Sequence, residues 1–261
     1  MKFTIINRIV VLFTIFNLQE SNSFLFSKFK SSINNKINTN QHLISISPGG
    51  IKGFYYLGTL YYIKKNYDIT KYSYLGASAG SWNSLFMCYK GDSDEIINQL
   101  FNIDFDQSLA KSGETIKNIF LKQYKSSDFH LDKLNIGITE LGKYNKLNLK
   151  YTIYDSFINL EDAIDCCIAS SHVPFIIGGG VFKKYKNKLS FDGGLKKISY
   201  QQPSSSVLHV SSKLWNNEKY INMPGLRKSK DFNPRILFED GYKDALQNKD
   251  VLDTIFTKIM L

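Results

Sequence analysis

The sequence predicts an α/β fold in which a mostly parallel central sheet is flanked by helices. Short apolar runs alternate along the chain with longer segments of helical spacing, as in folds built from strand–helix units. Two glycine-rich segments, 48–53 and 76–80, each follow an apolar run and precede a helix-like segment. The chain has 261 residues, of which 43% are hydrophobic, so it is long enough for one large domain with a buried core.

The alternation can be followed from residue 42 to the end of the chain. Strands are predicted where runs of about four to eight residues are apolar, β-branched or aromatic, and helices where apolar residues recur at helical spacing. The predicted strands are 42–47, 72–76, 136–141, 147–154, 188–191 and 205–211. The predicted helices are 53–67, 79–89, 94–101, a helix that begins after residue 154 and ends at residue 170, and 240–260. The stretch 104–134 is polar and lacks clear periodicity, and we expect it to cover a functional site as a lid or cap.

The segment 76–80 has the pattern G-x-S-x-G. In this pattern the serine lies on a tight turn between a strand and a helix, with its hydroxyl presented for nucleophilic attack. Gly76 and Gly80 are expected to prevent clashes in the turn and with the following helix. The pattern predicts Ser78 as a nucleophile.

A glycine-rich loop precedes this serine, and a carboxylate follows it at a distance. The segment 48–53 has the sequence P-G-G-I-K-G, and the backbone N–H groups of such a loop can stabilise an oxyanion. The expected donors are Gly49 and Gly50, with Ile51 as a third. Asp192 is followed by two glycines and supplies a carboxylate. A nucleophile, an anion-binding loop and a carboxylate together indicate acyl transfer.

These three segments resemble the patatin-like phospholipase family. That family carries a G-G-G-x-[RK]-G oxyanion loop, a G-x-S-x-G serine and a D-G-G/A aspartate in this order, and here only the first glycine is replaced, by Pro48. The stretches 169–175 and 241–246 look similar to the animal triglyceride-lipase branch, and the resemblance covers about residues 42–248. The chain departs from the family at Ile198 and Tyr200, where Asn and Pro are common. The positions that match the motifs in a supporting role are Lys52, Gly53, Gly76, Gly80, Gly193 and Gly194.

The resemblance implies a three-layer α/β fold and a lipid acyl hydrolase with a Ser–Asp dyad. In this family the aspartate acts directly on the serine, so Asp192 is the expected base for Ser78. A Ser–Asp–His triad is the alternative, and only His209 follows Asp192 in the order that such a triad requires. Because His209 lies in an apolar run that predicts a strand interior, we expect it to be structural. The basic side chain of Lys52 is expected to support the loop or to meet a lipid headgroup.

The expected substrate is an acyl ester of a glycerolipid, with phospholipid, galactolipid and triacylglycerol all open. An acyltransferase with the same dyad and a catalytically silent lipid-binding relative are the alternatives. The net charge of +10 favours an anionic membrane or lipid-droplet surface as partner. No nucleic-acid motif is recognised, and no cofactor or metal is expected, because neither zinc-type nor calcium-loop spacing occurs. The oligomeric state is not predicted.

The first forty residues are expected to lie outside the catalytic domain. Two basic residues, Lys2 and Arg8, precede an apolar run over 9–16, and small residues follow at 21–23. This order is typical of a secretory signal peptide. Residues 24–40 are basic, rich in Ser and Asn and free of acidic side chains. We therefore expect a leader over 1–23, a linker or transit segment over 24–40 and a patatin-like catalytic domain over 41–261. An uncleaved interfacial anchor is the alternative for the leader. The expected location is the secretory route or a membrane, or alternatively a plastid reached through a bipartite leader.

Overall fold

The structure is a computed structural model that describes residues 42–103, 111–142, 149–195, 206–225 and 233–259. The predictions for the leader, for the linker, and for Ile198 and Tyr200 fall outside the described residues.

Within the described ranges, a seven-stranded sheet forms the centre of the domain and a two-stranded sheet lies apart from it. The seven strands are β1 (His42–Ile46), β3 (Tyr72–Gly76), β4 (Leu134–Leu141), β5 (Leu149–Tyr154), β6 (Lys183–Tyr185), β7 (Lys188–Phe191) and β8 (Ser206–Val210). The small sheet pairs β2 (Tyr67–Asp68) with β9 (Thr257–Lys258).

The sheet has a parallel part and an antiparallel part. Strands β8, β1, β3 and β4 are neighbours and run parallel, which confirms the predicted mostly parallel arrangement. Strands β5 and β7 run antiparallel to β4, and β6 runs antiparallel to β7. Strands β1, β3 and β4 are almost fully buried, as their apolar sequences predict, whereas β8 at the edge of the sheet is only partly buried.

The register at β4 decides how distant parts of the chain meet. Strand β5 pairs with β4 from Ile136 to Leu141, so β3 and β7 share the opposite side of β4. Strand β3 pairs with the beginning of β4, and β7 pairs with the end of β4. Because β3 is parallel to β4 and β7 is antiparallel to it, β3 and β7 run in opposite directions. The carboxyl ends of β3 and β7 therefore point at each other along one side of β4.

Helices flank the sheet, as predicted. Those described are α1 (Gly53–Asn66), α2 (Ala79–Cys88), α3 (Ser93–Phe101), α4 (Ser112–Gln123), α5 (Leu160–Ser170), α6 (Glu218–Ile221), α7 (Pro234–Gln247) and α8 (Lys249–Ile255). Capping side chains mark where two of these helices begin. At the start of α3 the Asp92 side chain accepts a hydrogen bond from the N–H of Asp94, and at the start of α5 the Asn159 side chain accepts one from the N–H of Asp162. None of these helices is both long and apolar enough to cross a bilayer.

Two predicted segments differ from the structure. The sequence of 104–134 shows no clear periodicity, but its described part contains α4, whose buried Ile116 and Phe120 lie one turn apart. Lys117 of α4 also pairs with Glu161 and Asp165 of α5, at 2.9 and 2.7 Å. This part of the stretch packs on α5 as a regular helix.

The single helix predicted over 240–260 is wrong. Helix α7 begins earlier, at Pro234, and ends at Gln247, where the Asn248 side chain donates to the carbonyl oxygen of Asp244 at 2.8 Å. After α8 the backbone becomes extended at Phe256, whose ring packs on Tyr67 and Tyr72. Strand β6 was also not predicted from its lysine-rich sequence.

Candidate active site

Ser78 lies in the turn between β3 and α2 with an unusual backbone conformation. Its φ and ψ are 52° and −129°, a region that side-chain-bearing residues rarely occupy. The turn is held by the Ser81 hydroxyl, which donates to the carbonyl oxygen of Ser78 at 2.6 Å. A Cβ on Gly76 would lie 2.0 Å from the carbonyl oxygen of Gly80, and one on Gly80 would lie 2.4 Å from that of Ile46. Both glycines are therefore required by close backbone approaches, as the sequence predicts.

The Ser78 hydroxyl donates a hydrogen bond to the carboxylate of Asp192. The distance from Ser78 Oγ to Asp192 Oδ2 is 2.6 Å, although 114 positions separate the two residues in the chain. The N–H of Gly194 donates to the other carboxylate oxygen, Oδ1, at 2.7 Å. Both side chains are buried, with 6% of Ser78 and 7% of Asp192 exposed. One carboxylate oxygen is thus fixed by the backbone while the other faces the hydroxyl.

The end of β7 delivers Asp192 to this position. The N–H of Asp192 donates to the carbonyl oxygen of His172 at 2.7 Å. A Cβ on Gly193 would lie 2.3 Å from the carbonyl oxygen of Gly137 and 2.6 Å from Cβ of Ala77. The turn after Asp192 therefore packs directly against β4 and against the residue that precedes Ser78.

Burial changes the acid–base properties of the carboxyl group. Removal from water raises the pKa of Asp192 from 3.8 to about 6, because the charged form loses solvation. The hydrogen bonds from Ser78 and Gly194 act in the opposite direction and limit the rise in pKa. Asp192 is therefore a stronger base than an ordinary aspartate and is still ionised at neutral pH.

Ser170, the last residue of α5, binds the backbone of the turn that carries Ser78. Its side chain is fully buried and accepts a hydrogen bond from the N–H of Ser78 at 2.8 Å. The same hydroxyl donates to the carbonyl oxygen of Gly137 on β4 at 2.7 Å. This bridge links the strained turn to the sheet, and the sequence did not predict it.

The loop 48–53 lies beside both Ser78 and Asp192. A Cβ on Gly194 would lie 2.7 Å from Cβ of Pro48, and one on Gly53 would lie 2.6 Å from Cβ of Ala79. The Asn83 side chain of α2 donates to the carbonyl oxygen of Gly53 at 3.0 Å. The loop is thus packed between the start of α2 and the turn after Asp192.

The three predicted oxyanion donors of this loop differ in availability. Gly50 has a φ of +54°, and a Cβ there would lie 2.0 Å from the carbonyl oxygen of Gly225. The N–H of Ile51 donates to that same oxygen at 2.9 Å, so the expectation that Ile51 also serves the oxyanion is not supported. Among the residues that the structure describes, none accepts a hydrogen bond from the N–H of Gly49 or Gly50.

The side chain of Lys52 contacts the last residue of α6. Its ammonium group lies 3.4 Å from the carbonyl oxygen of Ile221, and burial lowers its pKa. The contact ties the end of the loop to α6, in agreement with the first of the two roles that the sequence left open for this residue.

His209 does not form a triad with Ser78 and Asp192. Its Nδ1 lies 2.8 Å from Ser45 Oγ and its Nε2 lies 3.0 Å from Ser47 Oγ, so both ring nitrogens have other partners. Burial lowers the pKa of His209. His209 lies on β8 and its ring binds the side chains of Ser45 on β1 and of Ser47 just after β1, in the structural role that its apolar sequence context predicts.

No cluster of three or more His, Cys, Asp or Glu side chains in the described ranges has the arrangement of a metal site. The chemistry open to the described residues is nucleophilic attack by a serine hydroxyl, with a carboxylate as the proton acceptor and two backbone N–H groups as anion donors.

Comparisons with known proteins match the chain to a family model. The family model described as patatin-like phospholipase matches residues 44–197, more than half of the chain, and this range contains the loop, Ser78 and Asp192. No curated protein matches the chain. Among solved structures, the chain is similar to the crystal structure of VipD from Legionella pneumophila, with 14% identity and a TM-score of 0.44. That similarity covers 84% of this chain and 68% of the VipD chain.

Proposed function

This chain belongs to the patatin-like phospholipase family, a family of lipid acyl hydrolases, and we propose that it cleaves acyl esters of glycerolipids with Ser78 and Asp192 as a catalytic dyad. The family match confirms the resemblance that the three sequence motifs carry. The observation that most supports the dyad is the 2.6 Å hydrogen bond from Ser78 Oγ to Asp192 Oδ2, made on a strained turn.

In the first step, Ser78 Oγ attacks the carbonyl carbon of the ester while its proton passes to Asp192 Oδ2. The carbonyl electron pair moves to oxygen, which becomes an oxyanion. The N–H groups of Gly49 and Gly50 donate hydrogen bonds to this oxyanion. Neither N–H group donates to another described residue in the free protein. Loss of one such donor typically costs about 100- to 1000-fold in turnover.

In the second step, the oxyanion collapses and the bond to the alcohol oxygen breaks. Asp192 returns its proton to that oxygen, so the alcohol leaves neutral and the acyl group remains on Ser78. Water then attacks the acyl carbon as it gives a proton to Asp192, and the bond from that carbon to Ser78 Oγ breaks. Asp192 returns the proton to Oγ, which restores the Ser78 hydroxyl and releases a fatty acid. The same residue therefore serves as base and acid in turn.

The environment of Asp192 suits these roles. A general base works best when its pKa lies close to the operating pH, and burial moves the pKa of Asp192 to about 6. The N–H of Gly194 holds Oδ1, which leaves Oδ2 directed at the hydroxyl throughout the cycle. No imidazole is needed to carry the proton.

Hydrolysis of mixed lipids tests this proposal. We expect the full chain to release free fatty acid from at least one of three substrates, namely phospholipid vesicles, galactolipid vesicles and a triacylglycerol emulsion, measured by mass spectrometry. Ser78→Ala should lower that rate at least about a thousandfold. Ser84→Ala is the matched control, since Ser84 lies on the helix that follows Ser78 and its buried hydroxyl has no hydrogen-bond partner among the described residues. It should keep the wild-type rate.

Two results would contradict the proposal. Fatty-acid release by Ser78→Ala close to the wild-type rate would remove the serine from the mechanism. Transfer of the acyl group to an added alcohol or lysolipid, without free fatty acid, would indicate an acyltransferase that uses the same dyad.

A further inference from the structure

Exposed apolar side chains are concentrated in one loop of the described chain. We call residues 173–182 the apolar loop. Four of the eleven large hydrophobic residues that the structure describes as exposed lie within it. They are Phe175 at 52% exposure, Ile176 at 46%, Val181 at 44% and Phe182 at 45%. Single exposed apolar residues are common, but a cluster of this kind marks an interaction surface.

The apolar loop has a defined backbone that presents these side chains outwards. The N–H of Phe175 donates to the carbonyl oxygen of Gly180, and that of Ile177 to Val173, both at 2.9 Å. Within the loop, Gly179 and Gly180 have positive φ, and no atom lies within 4 Å of where their Cβ atoms would be. The tip of the loop therefore faces open space, while hydrogen bonds close its base.

The residues just before the apolar loop contact the candidate active site. The loop starts three residues after Ser170, which binds the N–H of Ser78. At its base, the carbonyl oxygen of His172 accepts from the N–H of Asp192. The β6–β7 hairpin then leads directly from Phe182 to Asp192. Whatever binds this loop is held next to the dyad.

Basic residues follow the apolar loop directly. Lys184 is exposed and forms no ion pair with any residue in the described ranges, while its neighbour Lys183 pairs with Glu114 at 2.7 Å. The whole chain carries a net charge of +10. Apolar side chains next to an unpaired lysine, on a basic protein, complement a surface that is apolar inside and anionic at its edge.

We propose that the apolar loop inserts into a lipid surface, that Lys184 contacts its anionic headgroups, and that this docking holds Ser78 against the substrate. The functional role of this docking rests on the proposed function, since a lipid hydrolase must meet its substrate at a lipid surface. Phe175 and Phe182 would bury their rings among the acyl chains close to the headgroups. The substrate would then reach the dyad without leaving the lipid phase completely.

Vesicle binding by loop variants tests this proposal. The test variant is Phe175→Asn with Phe182→Ser, because Asn tolerates the φ of 64° at position 175. The matched control is Leu246→Ser with Val251→Ser, which removes two side chains that are 47% and 50% exposed elsewhere. Full-length proteins are sedimented with phosphatidylcholine vesicles with and without phosphatidylglycerol. Circular dichroism establishes that each variant is folded.

We expect the loop variant to bind both kinds of vesicle at least about tenfold more weakly, since two phenylalanine rings lose their burial. Lys184→Glu should weaken binding to the anionic vesicles about fivefold or more, whereas Lys122→Glu, on the exposed side of α4, should not. The ratio of vesicle-lipid hydrolysis to hydrolysis of a soluble short-chain ester should fall in the loop variant. The Leu246/Val251 control should match the wild type.

Vesicle binding of the loop variant at the wild-type level, or an equal loss in the control, would overturn the inference. The outcome is separable from that of the proposed function. If the wild type binds vesicles through the loop but hydrolyses no ester, the docking surface stands and the proposed function fails. If it hydrolyses vesicle lipid equally with and without the two phenylalanines, the proposed function stands and the docking surface is wrong.

Discussion

Keeping Asp192 ionised in a buried site costs folding free energy. Burial raises its pKa from 3.8 to about 6, so the folded protein holds this proton over a pH range in which the unfolded chain has released it. The stabilising contribution of the protonated group is fully present below pH 3.8 and is lost as the pH rises through about 6. Reactivity at neutral pH and stability are therefore opposed at this residue.

The pH dependence of turnover follows from the ionisation of Asp192. Only the ionised carboxylate can accept the Ser78 proton, so we expect kcat/KM to rise with pH and to level off above an apparent pKa of about 6. The measurement is the rate of hydrolysis of a soluble ester across a pH series in which the protein remains folded. A rising limb near the ordinary aspartate pKa of 3.8 would show that Asp192 is not the buried base described here.

Replacement of Asp192 by Asn should make the protein inactive and more stable. The amide removes the cost of a buried charge, and the pKa difference from 3.8 to about 6 corresponds to about 3 kcal/mol at neutral pH. We expect the free energy of unfolding by urea to increase by about 1–3 kcal/mol near pH 8 and by much less near pH 4. If Asp192→Asn were less stable than the wild type at both pH values, the buried charge of Asp192 would not destabilise the folded protein as stated here.

At the scale of elements, the strained turn depends on a bridge between α5 and β4. Ser170 accepts from the N–H of Ser78 and donates to the carbonyl oxygen of Gly137, and no other described side chain makes this connection. The bridge is buried, so both backbone groups lose their partner if the hydroxyl is removed.

Ser170→Ala should therefore lower both stability and turnover. We expect the free energy of unfolding to fall by about 1–3 kcal/mol, since two buried groups become unsatisfied. We expect kcat to fall about 10- to 100-fold through misplacement of Ser78, with a smaller change in KM. Ser73→Ala on β3 is the control, because its buried hydroxyl has no partner among the described residues. Unchanged kcat in Ser170→Ala would mean that the turn keeps its geometry without the bridge.

The sequence predicts those elements whose signals are local. The strand at Tyr72–Gly76 and the helix that follows it carry an apolar run, a G-x-S-x-G turn and helical spacing within a few residues. The helix α4 has its signal in the spacing of Ile116 and Phe120, which polar neighbours obscured. The end of α7 depends on the Asn248 side chain, and β6 depends on pairing with β7, so neither follows from periodicity.

The same distinction applies to the candidate site. The structure brings together Ser78 and Asp192, which the sequence paired through their glycine-rich turns. Two other features depend on contacts between segments far apart in the chain. They are the hydrogen bond from the Ile51 N–H to the carbonyl oxygen of Gly225 and the bridge that Ser170 makes. Such contacts have no local sequence signal, which is why the third oxyanion donor was expected and the bridge was not.

At the scale of the whole molecule, β4 organises the site. Its beginning pairs with β3, which ends before Ser78, and its end pairs with β7, which ends before Asp192. The parallel part of the sheet thus supplies Ser78, the proposed nucleophile, and the loop 48–53, while the antiparallel part supplies Asp192, the proposed base. The apolar loop belongs to the segment that connects α5 to this antiparallel part, so the proposed lipid docking and the placement of Asp192 involve one chain segment.

The claim that Asp192 activates Ser78 is tested most directly by the rate at which a fluorophosphonate labels the protein, followed by intact mass and peptide mass spectrometry. We predict one adduct, on Ser78, and a labelling rate that falls at least about a hundredfold in Asp192→Asn. His209→Ala should be labelled close to the wild-type rate, since both its ring nitrogens are bound to other serines. An adduct at another residue, or labelling of folded Asp192→Asn at the wild-type rate, would contradict the dyad.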